Sequence, residues 1–163
     1  MDNRIDVVKV DAGNAHELIR LIVELADYEN LEPPSMEARE RLVWDATTDP
    51  PRFEAFLAMV DGQAAGYVVY YFTYSTFLAR PSFFLEDIYV SERFRKMKVG
   101  SALFRHCVQV AKDRGCGRME WAVLDWNVRA MAFYQSQGGR PVSEWMFYRL
   151  KAESFDDVLS RTP

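Results

Sequence analysis

The order of apolar and polar positions predicts a short strand and two helices at the start of the chain. Residues 5–10 alternate as a strand, and a helix that ends near residue 28 follows. The apolar face of this helix is formed by Leu18, Ile19, Ile22, Leu25 and Ala26. Ser35, just after two prolines, can cap a second helix that ends before Pro50. Both helices are amphipathic, so we expect them to cover a sheet.

The rest of the chain predicts strands first and then an alternation of strands and helices. Asp61-Gly62 is a strong turn signal between two aromatic and β-branched segments, which predicts a β-hairpin. The expected strands cover residues 53–60, 64–74, 83–90, 118–123 and 142–150, and the expected helices cover residues 99–115 and 128–137. This order predicts an α/β (α+β) fold in one domain over residues 1–163, with a central mixed, mainly antiparallel sheet of six to seven strands and helices on both faces.

Composition and charge exclude several classes of protein. The chain is 49% hydrophobic and 27% charged, as a globular protein is, and its formal net charge of -4 disfavours a nucleic-acid partner. No apolar run is long enough for a signal peptide or a membrane span, so we expect a cytoplasmic protein with no membrane partner. Cys107 and Cys116 are too few for a disulfide framework or a zinc site, so we expect no metal.

Two segments carry groups that suggest chemistry. Glu86 and Asp87 lie in an otherwise apolar strand, where alternation predicts that they point to opposite faces. At least one should line a polar cavity, because an unpartnered buried carboxylate is costly; the alternative is an edge strand with both acids solvated. A basic loop over residues 93–101 precedes a helix, which suits a pyrophosphate, although a solvated turn or a nucleic-acid patch would have the same composition.

A third segment, residues 125–134, joins a strand to a helix that contains an aromatic pair. Taken alone, Asn127 indicates a helix cap and Phe133-Tyr134 indicates core packing. In their order along the chain, the three segments resemble the GNAT superfamily of N-acetyltransferases. The family's motif A is an Arg or Gln, two variable residues, Gly, one variable residue and Gly or Ala. The matching residues here are Arg95-Lys96-Met97-Lys98-Val99-Gly100, and motif B resembles residues 127–134.

Within that family, the chain is similar to the spermidine/spermine (diamine) acetyltransferase branch. The similar segments are residues 20–22, 24–26, 28–29, 70–74, 85–87 and 126–127. The resemblance implies direct attack, in a ternary complex with acetyl-CoA, by the primary amine of a small molecule: a diamine, a polyamine or an amino-acid side chain. It also implies a homodimer. A free alkylamine has a pKa near ~10.4, so it must lose a proton before it attacks.

The resemblance also implies the site residues. The Tyr at position 134 protonates the departing thiolate, and Glu86 takes the amine proton. The expected substrate-binding residues are Tyr28, Glu29, Glu86 and Trp121. The expected acetyl-CoA-binding residues are Ile88, Tyr89, Val90, Arg95, Lys96, Met97, Lys98, Val99, Gly100, Ser101, Asn127, Ala130 and Tyr134.

Two parts of the sequence, motif A and the amine site, depart from the family pattern. Lys98 replaces the fourth-place Gly of motif A, where it can meet a phosphate as a point charge, and Ser75 and Met146 stand where the polyamine branch has acids. Fewer acids predict weaker attraction for a polyamine. The alternatives to a small-molecule enzyme are transfer to a protein or peptide amine and a non-catalytic acyl-CoA-binding module; retention of Glu86 and Tyr134 argues against the second.

Overall fold

The computed structural model of the chain describes residues 4–161, which divide into one unit up to Ala122 and a second from Val123. The strands are β1 (Ile5–Lys9), β2 (Glu54–Val60), β3 (Gln63–Ser75), β4 (Arg80–Val90) and β5 (Arg118–Trp121). The helices are α1 (Ala15–Glu29), α2 (Met36–Thr47), α3 (Val99–Asp113), α4 (Val128–Ser136) and α5 (Phe155–Leu159). Short 3-10 turns cover Glu92–Phe94 and Ala152–Ser154. None of the helices described is long and apolar enough to cross a membrane.

The first two helices form where the apolar pattern predicts them. Leu18 and Leu21 of α1 are fully buried, and the helix ends at Asn30, which adopts a left-handed conformation with φ of 56°. The Ser35 hydroxyl caps α2 by accepting a hydrogen bond from the Ala38 amide at 3.2 Å. The predicted cap and the predicted helix ends are thus confirmed to within a residue or two.

The first unit is built on one five-stranded sheet with strand order β1-β2-β3-β4-β5. The three pairs β1–β2, β2–β3 and β3–β4 are antiparallel, whereas β5 runs parallel to β4. The β2–β3 hairpin turns at Asp61 and Gly62, which have positive φ values of 48° and 78°. The predicted mixed, mainly antiparallel sheet and its hairpin are therefore confirmed.

Helices cover both faces of this sheet. On one face, Leu57, Tyr67 and Val69 pack in a buried cluster with the apolar side of α1. On the other face, the ring of Phe56 lies 4.2 Å from the ring of His106 of α3. Neighbouring residues of a strand alternate between faces, so α1 and α3 lie on opposite sides, as predicted.

The predicted number of strands is wrong. Within residues 4–161 the sheet has five strands rather than six to seven, and residues 142–150, predicted as the last strand, carry none. Trp145, Phe147 and Tyr148 are at least 80% exposed there. An alternating apolar pattern makes a segment able to pair, but a strand exists only when a neighbour completes its hydrogen bonds, and no such ladder forms within residues 123–161.

Candidate active site

A β-bulge between β3 and β4 brings two carboxylates to the same face of the sheet. Val69 opposes Asp87 and the next residue, Tyr70, opposes Leu85, so Glu86 is the extra residue of β4. Asp87 points to the α1 face together with Val69, and the bulge returns Glu86 to that face as well, where it contacts Tyr71. The prediction that alternation separates Glu86 from Asp87 is therefore wrong.

The two carboxylates line an open cavity of about 560 Å³ on the α1 face. The lining residues are Ile22, Glu32, Pro34, Leu42, Phe53, Val69, Tyr71, Glu86 and Asp87. Three of them are acids and none is a cation, so the cavity has a negative potential that attracts a positively charged ligand. Across residues 4–161, no cluster of three or more His, Cys, Asp or Glu side chains is arranged to hold a metal ion.

Glu86 is the more accessible of the two acids. Its side chain is exposed, and it accepts a hydrogen bond from the Tyr71 hydroxyl at 3.1 Å. Burial and the charge of Glu86 raise the pKa of Tyr71, so this phenol stays protonated and acts as a donor. The contact fixes the direction of the Glu86 carboxylate while leaving it accessible from the cavity.

Asp87 has a strongly perturbed acidity. Burial, followed by the charge of Glu86, raises its pKa to about 6, and the charge of Glu29 adds to the shift. A hydrogen bond from the Tyr67 hydroxyl at 3.3 Å acts in the opposite direction and lowers the pKa. The carboxyl can therefore gain or lose a proton near neutral pH, a property that often marks a functional site.

Sequence reasoning assigned no separate role to Asp87 and missed Tyr67. The pKa of Tyr67 lies well above its ordinary value, first because the side chain is buried and then because Asp87 is close. Its hydroxyl therefore remains a proton donor to Asp87. The only sequence signal was the adjacent pair of acids, since a strand residue such as Tyr67 carries no pattern that tells packing from function.

The three further residues predicted to bind substrate have different surroundings. Glu29, at the end of α1, is half-buried, and its charge raises the pKa of Asp87, which brings it into the electrostatics of the cavity. The ring of Tyr28 lies 4.9 Å from the guanidinium of Arg95. Trp121 packs edge-to-face on Phe104 of α3, with ring centroids 5.6 Å apart. Trp121 therefore lies on the α3 face, and the structure does not bring it to the cavity.

Among residues 4–161, no strand pairs with β4 beyond the bulge on the edge opposite β3. The parallel ladder with β5 ends at the pair Leu85–Trp121, so β5 does not pair with Ile88, Tyr89 or Val90. The Arg95 Nε atom donates to the Val90 carbonyl at 3.2 Å. The other backbone groups on this edge belong to Ile88, Tyr89 and Val90, the residues predicted to bind the pantetheine arm.

The basic loop has the backbone form of an anion site at the start of α3. The first helical bond described runs from the Ala102 amide to the Lys98 carbonyl, so the amides of Val99, Gly100 and Ser101 have no helical partner. Lys96 and Lys98 both adopt positive φ, at 67° and 64°. A positive φ favours glycine. The glycine that the family has in place of Lys98 would therefore suit the backbone conformation at this position.

Arg95 is fixed by aromatic rings at the start of this loop. Its guanidinium lies 4.9 Å from the centre of the Tyr28 ring and 5.9 Å from that of Tyr89. Cation–π contacts of this kind hold the side chain against α1 and β4. Arg95 therefore orders the entry to the loop that continues through Lys96 and Met97.

Three predicted site residues, Asn127, Ala130 and Tyr134, lie in the second unit. Asn127 is buried and caps α4, because its side-chain oxygen accepts a hydrogen bond from the Ala130 amide at 3.1 Å. Tyr134 lies in the same helix, with its ring 5.5 Å from that of Phe133. The cap is confirmed, whereas the catalytic role of Tyr134 stays a prediction.

Comparison with known proteins decides the family. The model of the acetyltransferase (GNAT) family matches residues 17–138, which include the bulge, the cavity acids and the basic loop. The chain belongs to the GNAT family. Its N-acetyltransferase relatives include thialysine N-epsilon-acetyltransferase of Bos taurus, 34% identical over 160 residues, with 91% of this chain and 94% of that protein covered.

The comparisons also include a relative from the predicted branch and a solved structure with the predicted fold. Spermidine/spermine N(1)-acetyltransferase-like protein 1 of Homo sapiens is 29% identical over 158 residues, which cover 91% of this chain and 23% of that protein. A solved structure, an integron cassette protein from the mobile metagenome of V. cholerae, superposes with a TM-score of 0.81 at 19% identity. The match covers 96% of this chain and 98% of that one. This GNAT protein is therefore an N-acetyltransferase with a mixed α/β sheet.

Proposed function

We propose that this GNAT protein transfers the acetyl group of acetyl-CoA to the primary amine of a small molecule by direct attack in a ternary complex. The observation that carries the proposal is the cavity in which the bulge places Glu86 and Asp87 side by side, with Glu32 as a third acid. An alkylammonium ion is the ligand that such a cavity attracts. The amine named in the Bos taurus relative, the N-epsilon of thialysine, belongs to this chemical class.

The incoming ammonium ion must give up a proton before its nitrogen can attack. We assign this proton to Glu86, through a water molecule, because Glu86 is the accessible carboxylate of the cavity. The nitrogen then forms a bond to the acetyl carbon while the bond from that carbon to sulfur breaks, and the new amide nitrogen loses its second proton to solvent. Tyr134 supplies a proton to the departing thiolate; a phenol with a pKa near ~10 carries its proton at working pH.

Acetyl-CoA supplies the acetyl group, and the features that would hold it are those predicted from the sequence. The β4 edge at residues 88–90 is not covered by β5, which suits an extended pantetheine arm. The amides at the start of α3, together with Lys96 and Lys98, suit the pyrophosphate. Asn127, Ala130 and Tyr134 are proposed to contact the cofactor near its thioester.

We favour small amines over polyamines as acceptors. Ser75 is buried and its hydroxyl accepts a hydrogen bond from the Leu78 amide, so the side chain that replaces an acid is used within its own turn. Met146, at the other replaced position, has no charge to offer. Each lost charge pair at a partly exposed site is worth about 1 kcal/mol, which favours a substrate with fewer charges.

A homodimer and a cytoplasmic location complete the proposal. Trp145, Phe147 and Tyr148 are at least 80% exposed, and large exposed apolar side chains in one segment favour contact with a second copy. Sedimentation equilibrium of the purified chain tests the dimer: a single species of monomer mass at micromolar concentration would contradict it.

Release of free CoA thiol from acetyl-CoA, measured on addition of candidate amines, tests the function. A panel of diamines, polyamines, basic amino acids and short peptides should give amine-dependent release with one or more of the small amines. Spermidine and spermine should have lower kcat/KM values than the best small amine. Release that no small amine accelerates, with a peptide amine as the only acceptor, would contradict the proposal.

A further inference from the structure

We propose that Arg39 binds the carboxylate of the acceptor, which makes the acceptor an amino acid with a primary amine at the end of its side chain. The inference rests on the proposed function and narrows the substrate class of the same site. It is carried by one cationic side chain that is hydrogen-bonded to a residue lining the cavity, whose own charged residues are all acids.

A hydrogen bond holds Arg39 against the cavity wall. Its Nε atom donates to the carbonyl oxygen of Pro34 at 2.9 Å, and Pro34 is one of the residues that line the cavity. Within residues 4–161, Arg39 belongs to none of the ion pairs, and its two Nη atoms donate no hydrogen bond. A guanidinium fixed in this way can present two parallel N–H groups to a carboxylate.

The geometry of α2 turns Arg39 toward the same side. Leu42, three residues further along the helix, lines the cavity, and Val43, four residues further along, packs against the buried cluster. Residues three and four apart lie on one face of a helix, so Arg39 shares the face that looks into the cavity. Arg41 is exposed and lies on a different face of the same helix, which makes it a matched control.

The charges on the cavity wall complete the match to an amino acid. Glu86 and Asp87 lie on the sheet and attract the side-chain amine, whereas Glu32 lies on the α1–α2 connection that also carries Pro34. An α-ammonium group can meet Glu32 while the neighbouring α-carboxylate meets Arg39. Without Arg39, a carboxylate would face three acids and no cation of the cavity wall.

The test compares lysine, lysine methyl ester and cadaverine as acceptors, with kcat/KM measured by CoA release. A charge-assisted hydrogen bond typically changes a binding constant by about tenfold or more. The wild-type protein should therefore prefer lysine over its methyl ester about tenfold. Arg39→Gln should lose about tenfold in kcat/KM for lysine and stay within about twofold for cadaverine, and Arg41→Gln should change neither.

Four outcomes overturn the inference. Equal losses with lysine and cadaverine in Arg39→Gln would show that the contact with Pro34 serves only to hold the loop. Equal use of lysine and its methyl ester by the wild-type protein would exclude carboxylate binding without any variant. Turnover of cadaverine with none of lysine would overturn the role of Arg39 alone, whereas no turnover of these three amines or of any other small amine of the panel would overturn the proposed function as well.

Discussion

Replacing Asp87 by Asn should make the protein more stable and less active. Asp87 is a carboxyl that folding places in an unfavourable position, half-buried and next to the charges of Glu86 and Glu29. An amide has the same shape, carries no charge, and can still accept the hydrogen bond from Tyr67. The substitution therefore removes a cost of folding and also removes a charge that the amine needs.

The size and the pH dependence of the effect follow from the pKa of Asp87. Burial and its neighbours raise that pKa from 3.8 to about 6, so between these values the native state binds more protons than the unfolded state. The free energy of unfolding therefore falls as the pH rises through this window. The two pKa values differ by the equivalent of about 3 kcal/mol, which solvent screening of the partly exposed group reduces to about 1–2 kcal/mol.

Denaturant unfolding of the wild-type protein and Asp87→Asn at a series of pH values measures this effect. Asp87→Asn should gain about 1–2 kcal/mol above about pH 7 and almost nothing near about pH 4. Glu40→Gln is the control, because it makes the same carboxyl-to-amide change on an exposed site of α2. A loss of stability at every pH, or a gain that does not vary with pH, would refute the reasoning.

Three other predictions concern the binding of acetyl-CoA and the role of Tyr134 as the proton donor. Acetyl-CoA at 100 times its dissociation constant should stabilise the fold by about 2.7 kcal/mol, seen as a rise in Tm; no rise at millimolar concentration would count against the site. Lys98→Ala should raise the KM for acetyl-CoA but not for the amine, and an equal effect with an acetyl-pantetheine lacking phosphate would exclude charge pairing. Tyr134→Phe should lower turnover about 100-fold while acetyl-CoA still binds; a change within about twofold would leave Tyr134 as a packing residue.

Much of the fold could be predicted because its signals are local. Asp61-Gly62 fixes a hairpin turn, Ser35 caps α2 through the amide of Ala38, and the apolar spacing of α1 names the side chains that become buried. Residues 142–150 have an equally regular pattern and still form no strand. The difference is that a turn or a cap is completed within a few residues, whereas a strand depends on a distant partner.

The sequence indicated which residues could take part in the site, but not how the fold arranges them. The adjacent acids Glu86 and Asp87 could be picked out, but the bulge that puts both on one face arises from the pairing of β4 with β3, which no local pattern encodes. The raised pKa of Asp87 follows from that placement and from burial. Arg39 was missed for the same reason, since only the folded chain puts it beside the cavity-lining Pro34.

The most direct test of the account is the stoichiometry of one reaction. Purified protein, acetyl-CoA and a single primary amine are incubated, and mass spectrometry counts free CoA and acetylated amine over time. The account predicts one molecule of singly acetylated amine for each CoA released, with no release when the amine is left out. CoA release that proceeds equally without amine, or an amine that stays unmodified while CoA accumulates, would contradict it.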